Sequence, residues 1–179
     1  MHDVLEGHGE HGGHEAGPDT MPVTITLSIL AVLMAVVTLM GHRAAKEELL
    51  LQTQESDQWA FFQAKNSGLH GMQTGADMLA TLAPIDKEEA AKLREKYLKE
   101  AERYTEEKAE ARKEAEGLKQ ERQVVSKRGD RYEAGEVILE IALIICSFTL
   151  LTKKKAFWFG GITLGVVGIV VAFSAFLLH

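Results

Sequence analysis

Residues 133–178 read EAGEVILEIALIICSFTLLT, then KKK, then AFWFGGITLGVVGIVVAFSAFLL. Two apolar runs, 137–152 and 156–178, are separated by only Lys153, Lys154 and Lys155. A third run of the same kind, 23–41, lies far upstream. A helix of about 20 apolar residues crosses a hydrocarbon layer of about 30 Å, and it satisfies its own backbone groups there. The fold is therefore expected to be all-α, with three transmembrane helices. Working outward, residues 1–21 form a polar tail, 22–42 the first transmembrane helix and 43–132 a charged arm. Residues 133–152 form the second transmembrane helix, 153–155 a basic loop and 156–178 the third.

Whole-chain averages hide this division. The 179 residues have a net charge of -6 and a mean hydropathy of -0.06, an average of two opposite compositions. The tail has Asp3, Glu6, Glu10, Glu15 and Asp19 with no Lys or Arg. That acidic flank, and the length of the first run, argue for a retained anchor rather than a cleaved signal. The arm is nearly balanced in charge, unlike the basic stripe that a nucleic-acid site needs. Cys146 is the single cysteine, so no internal disulfide forms.

Small residues recur at spacings of 4 and 3 on two spans. In the first they are Thr24, Ser28, Ala31, Ala35 and Thr38, and in the third Gly161, Gly165, Gly168, Ala172 and Ala175. Such stripes let helix backbones approach closely in lipid. They predict helix packing within the chain or against a second copy.

The arm continues the first span without a breaker. Gly68, Gly71 and Gly75 then weaken the helix, each by up to about 1 kcal/mol relative to Ala, and predict a kink or local break. Pro84 marks a turn, and Asp86 with Glu89 predicts a capping box for a second long helix. The two limbs, 43–83 and 87–132, would each be roughly 60–70 Å long. They predict a long antiparallel helical hairpin. Leu93, Tyr97, Ala101, Tyr104, Lys108, Ala111, Ala115, Leu118, Arg122 and Val125 follow a 4/3 seam of coiled-coil type, interrupted by Lys108 and Arg122.

The short basic loop 153–155 is expected in the cytoplasm, which puts the arm outside it and the tail inside. Arg43, Lys46, Lys127, Arg128 and Arg131 flank the membrane on the arm side and weigh the other way.

Residues 56–65 read SDQWAFFQAK. This stretch resembles the signature of a bacterial membrane family, domain of unknown function family 4337. The resemblance extends along nearly the whole chain: acidic tail with histidines, one span, a charged helical region and a closing two-span hairpin. Many relatives have tyrosines at the positions of Phe61 and Phe62. The resemblance implies a bacterial inner-membrane setting and carries no assigned activity.

Three groups of residues could carry chemistry. Glu133, Glu136 and Glu140 share one face where the second span starts, and a carboxylate at that depth pairs or takes up a proton. Glu136 and Glu140 are expected to meet His42 or Arg43 at the root of the arm, as a clamp or as a proton- or cation-responsive site. Trp59, Phe61 and Phe62 cannot all face one seam, so they form a candidate interaction patch. His8, His11 and His14 could bind a metal weakly, although their Gly-rich spacing fixes no geometry. No catalytic motif is present and no cofactor is expected, so the chain reads as a non-enzyme. The favoured function is a membrane-embedded scaffold or accessory subunit, with the bilayer and either further copies or another membrane subunit as partners. The alternatives are a homo-oligomeric ion or proton pathway using the second-span glutamates, and metal binding by the tail.

Overall fold

The computed structural model describes residues 20–82 and 86–178. Among these there is no strand. Three helices follow one another: α1 Met21–Thr81, α2 Lys87–Thr152 and α3 Lys155–Phe173, the last continued by a 3-10 turn, Ser174–Leu177. Each of the three contains a stretch long and apolar enough to cross a membrane. The expected tail thus gives up Met21 to α1, and the basic loop gives up Lys155 to α3. Pro84 lies outside the described residues.

Local chemistry sets the helix ends. Thr20 occupies the N-cap of α1, with Pro22 in the first turn, where a missing N–H costs nothing. The Asp86 carboxylate accepts from the backbone N–H of Glu88 at 2.9 Å and of Glu89 at 3.0 Å, which caps α2. Lys153 ends α2 in the left-handed conformation (φ 58°), its N–H returning to the Thr149 carbonyl at 2.8 Å.

α1 and α2 touch in opposite senses along their lengths. Low numbers on α1 meet high numbers on α2: Thr38 meets Glu136, Glu55 meets Arg122, and Gly75 meets Tyr97. The inward positions recur every seven residues. On α1 one row runs through Val23, Leu30, Val37, Ala44 and Leu51; Leu69 and Ala76 belong to a second. On α2 a row runs Tyr97, Tyr104, Ala111, Leu118, Val125, Tyr132, Leu139 and Cys146. Of the seam expected over 93–125, Leu93 is exposed and lies off it, and the remainder from Tyr97 continues into the second apolar run. A strict seven-residue repeat keeps two helices face to face only if they wind left-handedly around each other.

The helix does not break at the glycines: α1 is helical from Met21 to Thr81. Gly68 and Gly75 serve the packing instead. A Cβ on Gly75 would stand 2.8 Å from the Tyr97 ring, and one on Gly68 would stand 3.2 Å from the Tyr104 ring. Two glycines seven residues apart thus receive two tyrosines seven residues apart. The packing recovered from those rings offsets the helix cost of glycine.

The third span packs on the second through its glycines. A Cβ on Gly161 would lie 2.8 Å from the Cys146 Cβ and 3.0 Å from the Ala142 carbonyl oxygen. One on Gly168 would lie 3.0 Å from the Leu139 Cγ, and one on Gly135 of α2 would lie 2.7 Å from the Ala172 Cβ. Gly165 receives Leu30 of α1. Ala31 and Ala35, by contrast, are exposed. Within this chain α1 packs through Leu27, Leu30, Met34 and Val37, because the larger side chains fill the space that the glycines of α3 open.

The glycines divide into two kinds. Gly71 faces open space, so Gly71→Ala is expected to stabilise by about 0.5–1 kcal/mol through helix propensity. Gly161→Ala forces a methyl against backbone and is expected to destabilise by about 1–3 kcal/mol. Thermal unfolding followed by circular dichroism in detergent reads both, and a Gly161→Ala variant as stable as wild type would contradict this packing.

Candidate functional site

The charged side chains on the α2 seam stand fourteen residues apart. They are Lys108, Arg122 and Glu136, and each has an answering group on α1. Lys108 Nζ donates to Asn66 Oδ1 at 3.1 Å. Arg122 Nε donates to Glu55 Oε2 at 2.9 Å, and its Nη1 lies 3.9 Å from Glu48. Thr38 Oγ1 lies 2.7 Å from Glu136 Oε1 and 3.0 Å from the Met34 carbonyl. A hydroxyl has one proton, so Thr38 donates to one of these acceptors at a time. The two residues expected to interrupt the seam are thus bonded across it.

The acidic cluster differs from the sequence expectation. Glu136 finds Thr38 rather than His42 or Arg43, because the seam points it at α1 one turn deeper than those two. Glu140 is exposed on the outer side of α2, with no ion pair or hydrogen bond among the described residues. His42 and Arg43 are also exposed. The four residues do not converge.

Where the apolar stretches meet the charged ones, the end of α3 is tied to α2. Arg128 Nε donates to the Leu178 carbonyl at 2.9 Å, and Arg131 Nη1 donates to Ser174 Oγ at 2.9 Å. The Tyr132 ring meets Phe176 edge-on, with centroids 6.1 Å apart. Cations are favourable there, since the C-terminal end of a helix presents unpaired carbonyls. At the opposite end of the apolar bundle, Trp158 Nε1 donates to Thr26 Oγ1 at 3.1 Å and so joins α3 to α1.

The aromatic patch is split. Trp59 and Phe62 are half-buried and meet edge-on at 5.5 Å. Phe61 is 47% exposed and lines a shallow groove with Gln54, Asp57, Glu114 and Leu118. Lys65 Nζ lies 4.8 Å above the Phe61 ring and 5.2 Å above that of Tyr104. It also pairs with Glu107. The bond from Lys65 holds the Glu107 carboxyl below its ordinary range; burial opposes it, and the charges of Lys65 and Arg103 add smaller effects in the same direction as the bond. His8, His11 and His14 lie outside the described residues.

Over residues 20–178 the chain matches the family described as Domain of unknown function (DUF4337). The chain belongs to that family. No curated protein and no solved structure matches it.

In this DUF4337 chain the sequence pointed to Thr38 only as a small packing residue, and gave no sign of Asn66, Glu48 or Glu55. The signal that could have found them is the fourteen-residue spacing of Lys108, Arg122 and Glu136, because each charged seam position requires a polar answer. Thr38→Val removes the only hydrogen-bond partner that Glu136 has among the described residues. A carboxylate losing its donor at a packed helix interface is expected to cost about 1–2 kcal/mol, with Thr38→Ser restoring most of it. Equal melting temperatures for Thr38→Val and wild type would show that the contact carries no stability.

Proposed function

We propose that this DUF4337 chain is an integral-membrane structural or interaction protein, a scaffold or accessory subunit without catalytic activity. It crosses the bilayer three times and presents residues 43–132 to a partner as a stiff antiparallel helical hairpin of coiled-coil type. One observation carries this reading: α1 and α2 pass from their apolar to their charged stretches with no break in helix or in seven-residue register. A displacement at the far end of such a hairpin is transmitted to the spans, because no joint lies between them. Its described charges support a presenting role, since most seam charges are engaged between the two helices rather than gathered in a cleft.

The setting we favour is a bacterial inner membrane, with the arm outside the cytoplasm and the Lys153–Lys155 loop within it. Arg128 and Arg131 weigh less against that orientation than their number implies, since they bond to the end of the third span. Self-association, or association with another membrane subunit, is part of the proposal. The outer side of the spans leaves Ala31, Ala35 and Glu140 uncovered, and an unpartnered carboxylate at this depth is costly in lipid. The same exposure of Glu140 supports a second reading, in which several copies bring these glutamates around a shared ion or proton pathway.

Native mass spectrometry of the protein in mild detergent is the test. A defined assembly, with or without a different subunit, is expected, and a bare monomer would count against both readings. Glu140→Gln is expected to weaken the assembly if the residue is a contact. An intact assembly of Glu140→Gln that loses pH-dependent flux in liposomes would favour the pathway. Orientation is read by applying a membrane-impermeant maleimide to intact cells carrying Ser67→Cys in a Cys146→Ser background. Labelling is expected, and labelling only after lysis would reverse the orientation.

A further inference from the structure

At the root of the hairpin the middle of α1, the facing part of α2 and the 3-10 turn after α3 line an open groove of 320 Å³. That is at the lower end of the roughly 300–1,000 Å³ typical of small-molecule sites. Its polar lining consists of Arg43, Glu47, Arg128 and Tyr132, and its apolar lining includes Met40 and Phe176. Arg43 and Glu47 have no ion pair or hydrogen bond among the described residues. Arg128 uses Nε on the Leu178 carbonyl, which leaves its two terminal nitrogens for another acceptor. The Tyr132 ring is packed, and its hydroxyl, which is not buried, has no hydrogen-bond partner among the described residues. Two guanidiniums and a phenol thus line one groove with donors left unused, and a carboxylate stands beside them.

We propose that this groove binds the headgroup of a zwitterionic aminophospholipid, with its phosphodiester on Arg43, Arg128 and Tyr132 and its ammonium on Glu47. The site rests on the reading that the three helices cross a bilayer, which sets the groove at headgroup level. Guanidinium groups suit phosphate because their fork of donors matches its oxygens. Basic pockets between helices at a membrane surface are a recognised form of headgroup site. Glu47 sets the class. A headgroup with only negative charge would meet this carboxylate unfavourably, and a trimethylated ammonium would offer it no N–H. The acyl chains would leave past Met40 and Phe176 toward the lipid-facing side.

The test uses the full-length protein in nanodiscs of equimolar phosphatidylethanolamine, phosphatidylglycerol and phosphatidylcholine with identical acyl chains. Retained lipid is counted by native mass spectrometry. Wild type is expected to retain phosphatidylethanolamine about tenfold over the others, the effect of one charged hydrogen bond of ordinary strength. Arg43→Gln is expected to lower retention of all three by about the same factor. Glu47→Gln is expected to keep the bound lipid but lose the preference for phosphatidylethanolamine over phosphatidylglycerol. Neither residue bonds within the described chain, so the folds of both variants are expected to survive. Equal retention of the three lipids by wild type would overturn the site. So would undiminished retention by Arg43→Gln, or a preference unaltered in Glu47→Gln. Failure of the protein to enter nanodiscs at all would overturn the membrane reading instead.

Discussion

Two helices stay in contact over many turns only when their packed positions recur every 3.5 residues on average, and α1 and α2 meet that condition from one end to the other. The seven-residue rows through Val23, Leu30, Ala44 and Leu51, and through Tyr104, Ala111, Val125, Tyr132 and Leu139, fix which faces turn inward. Every other feature takes its place from this register. It aims Glu136 at Thr38, leaves Glu140 outside, and turns the Tyr132 side chain toward the end of α3.

The seam is made of small residues, and Ala101, Ala111 and Ala115 bury little area each. Apolar burial at about 25 cal/mol per Å² then yields little discrimination between one register and the next. Polar seam positions supply what alanine does not. A shift of one heptad would separate Lys108 from Asn66, Arg122 from Glu55 and Glu136 from Thr38 at once. Three polar groups would lose their partners together, and single polar residues at seam positions are known to set register in this way. The tyrosine rings seated over Gly68 and Gly75 act in the same direction sterically.

Packing changes character toward the apolar end. Hydrophobic burial drives helices together in water but not in lipid, where close contact of small residues takes over. The structure follows that division within single helices. Tyrosine against glycine and charge against amide hold the polar stretch, while Gly135, Gly161 and Gly168 bring the backbones of α2 and α3 together in the apolar one. The arginines at the boundary join the two regimes by holding the last turn of the third span to α2.

The sequence by itself determined the helical class, the three apolar stretches, the Asp86 cap and the glycine stripe of the third span. Each depends on residues close in the chain: length of an apolar run, a side chain reaching its own backbone, or spacing on one face. It also carried the α2 seam from Tyr97 to Val125, because periodicity is a local property, although it wrongly began that seam at the exposed Leu93. Only the tertiary structure decided what the seam residues meet. Gly68 and Gly75 looked like breakers, because helix propensity counts the missing side chain and not the tyrosine ring that fills its place. Glu136 looked like a partner for Arg43, since both sit near one boundary, but a turn of rotation along the seam gave it to Thr38. Ala31 and Ala35 looked like a packing face, yet spacing alone does not say which side of a helix another helix will cover. Partner choice across a helix interface depends on relative rotation and register, and those are fixed jointly by two segments nearly a hundred residues apart.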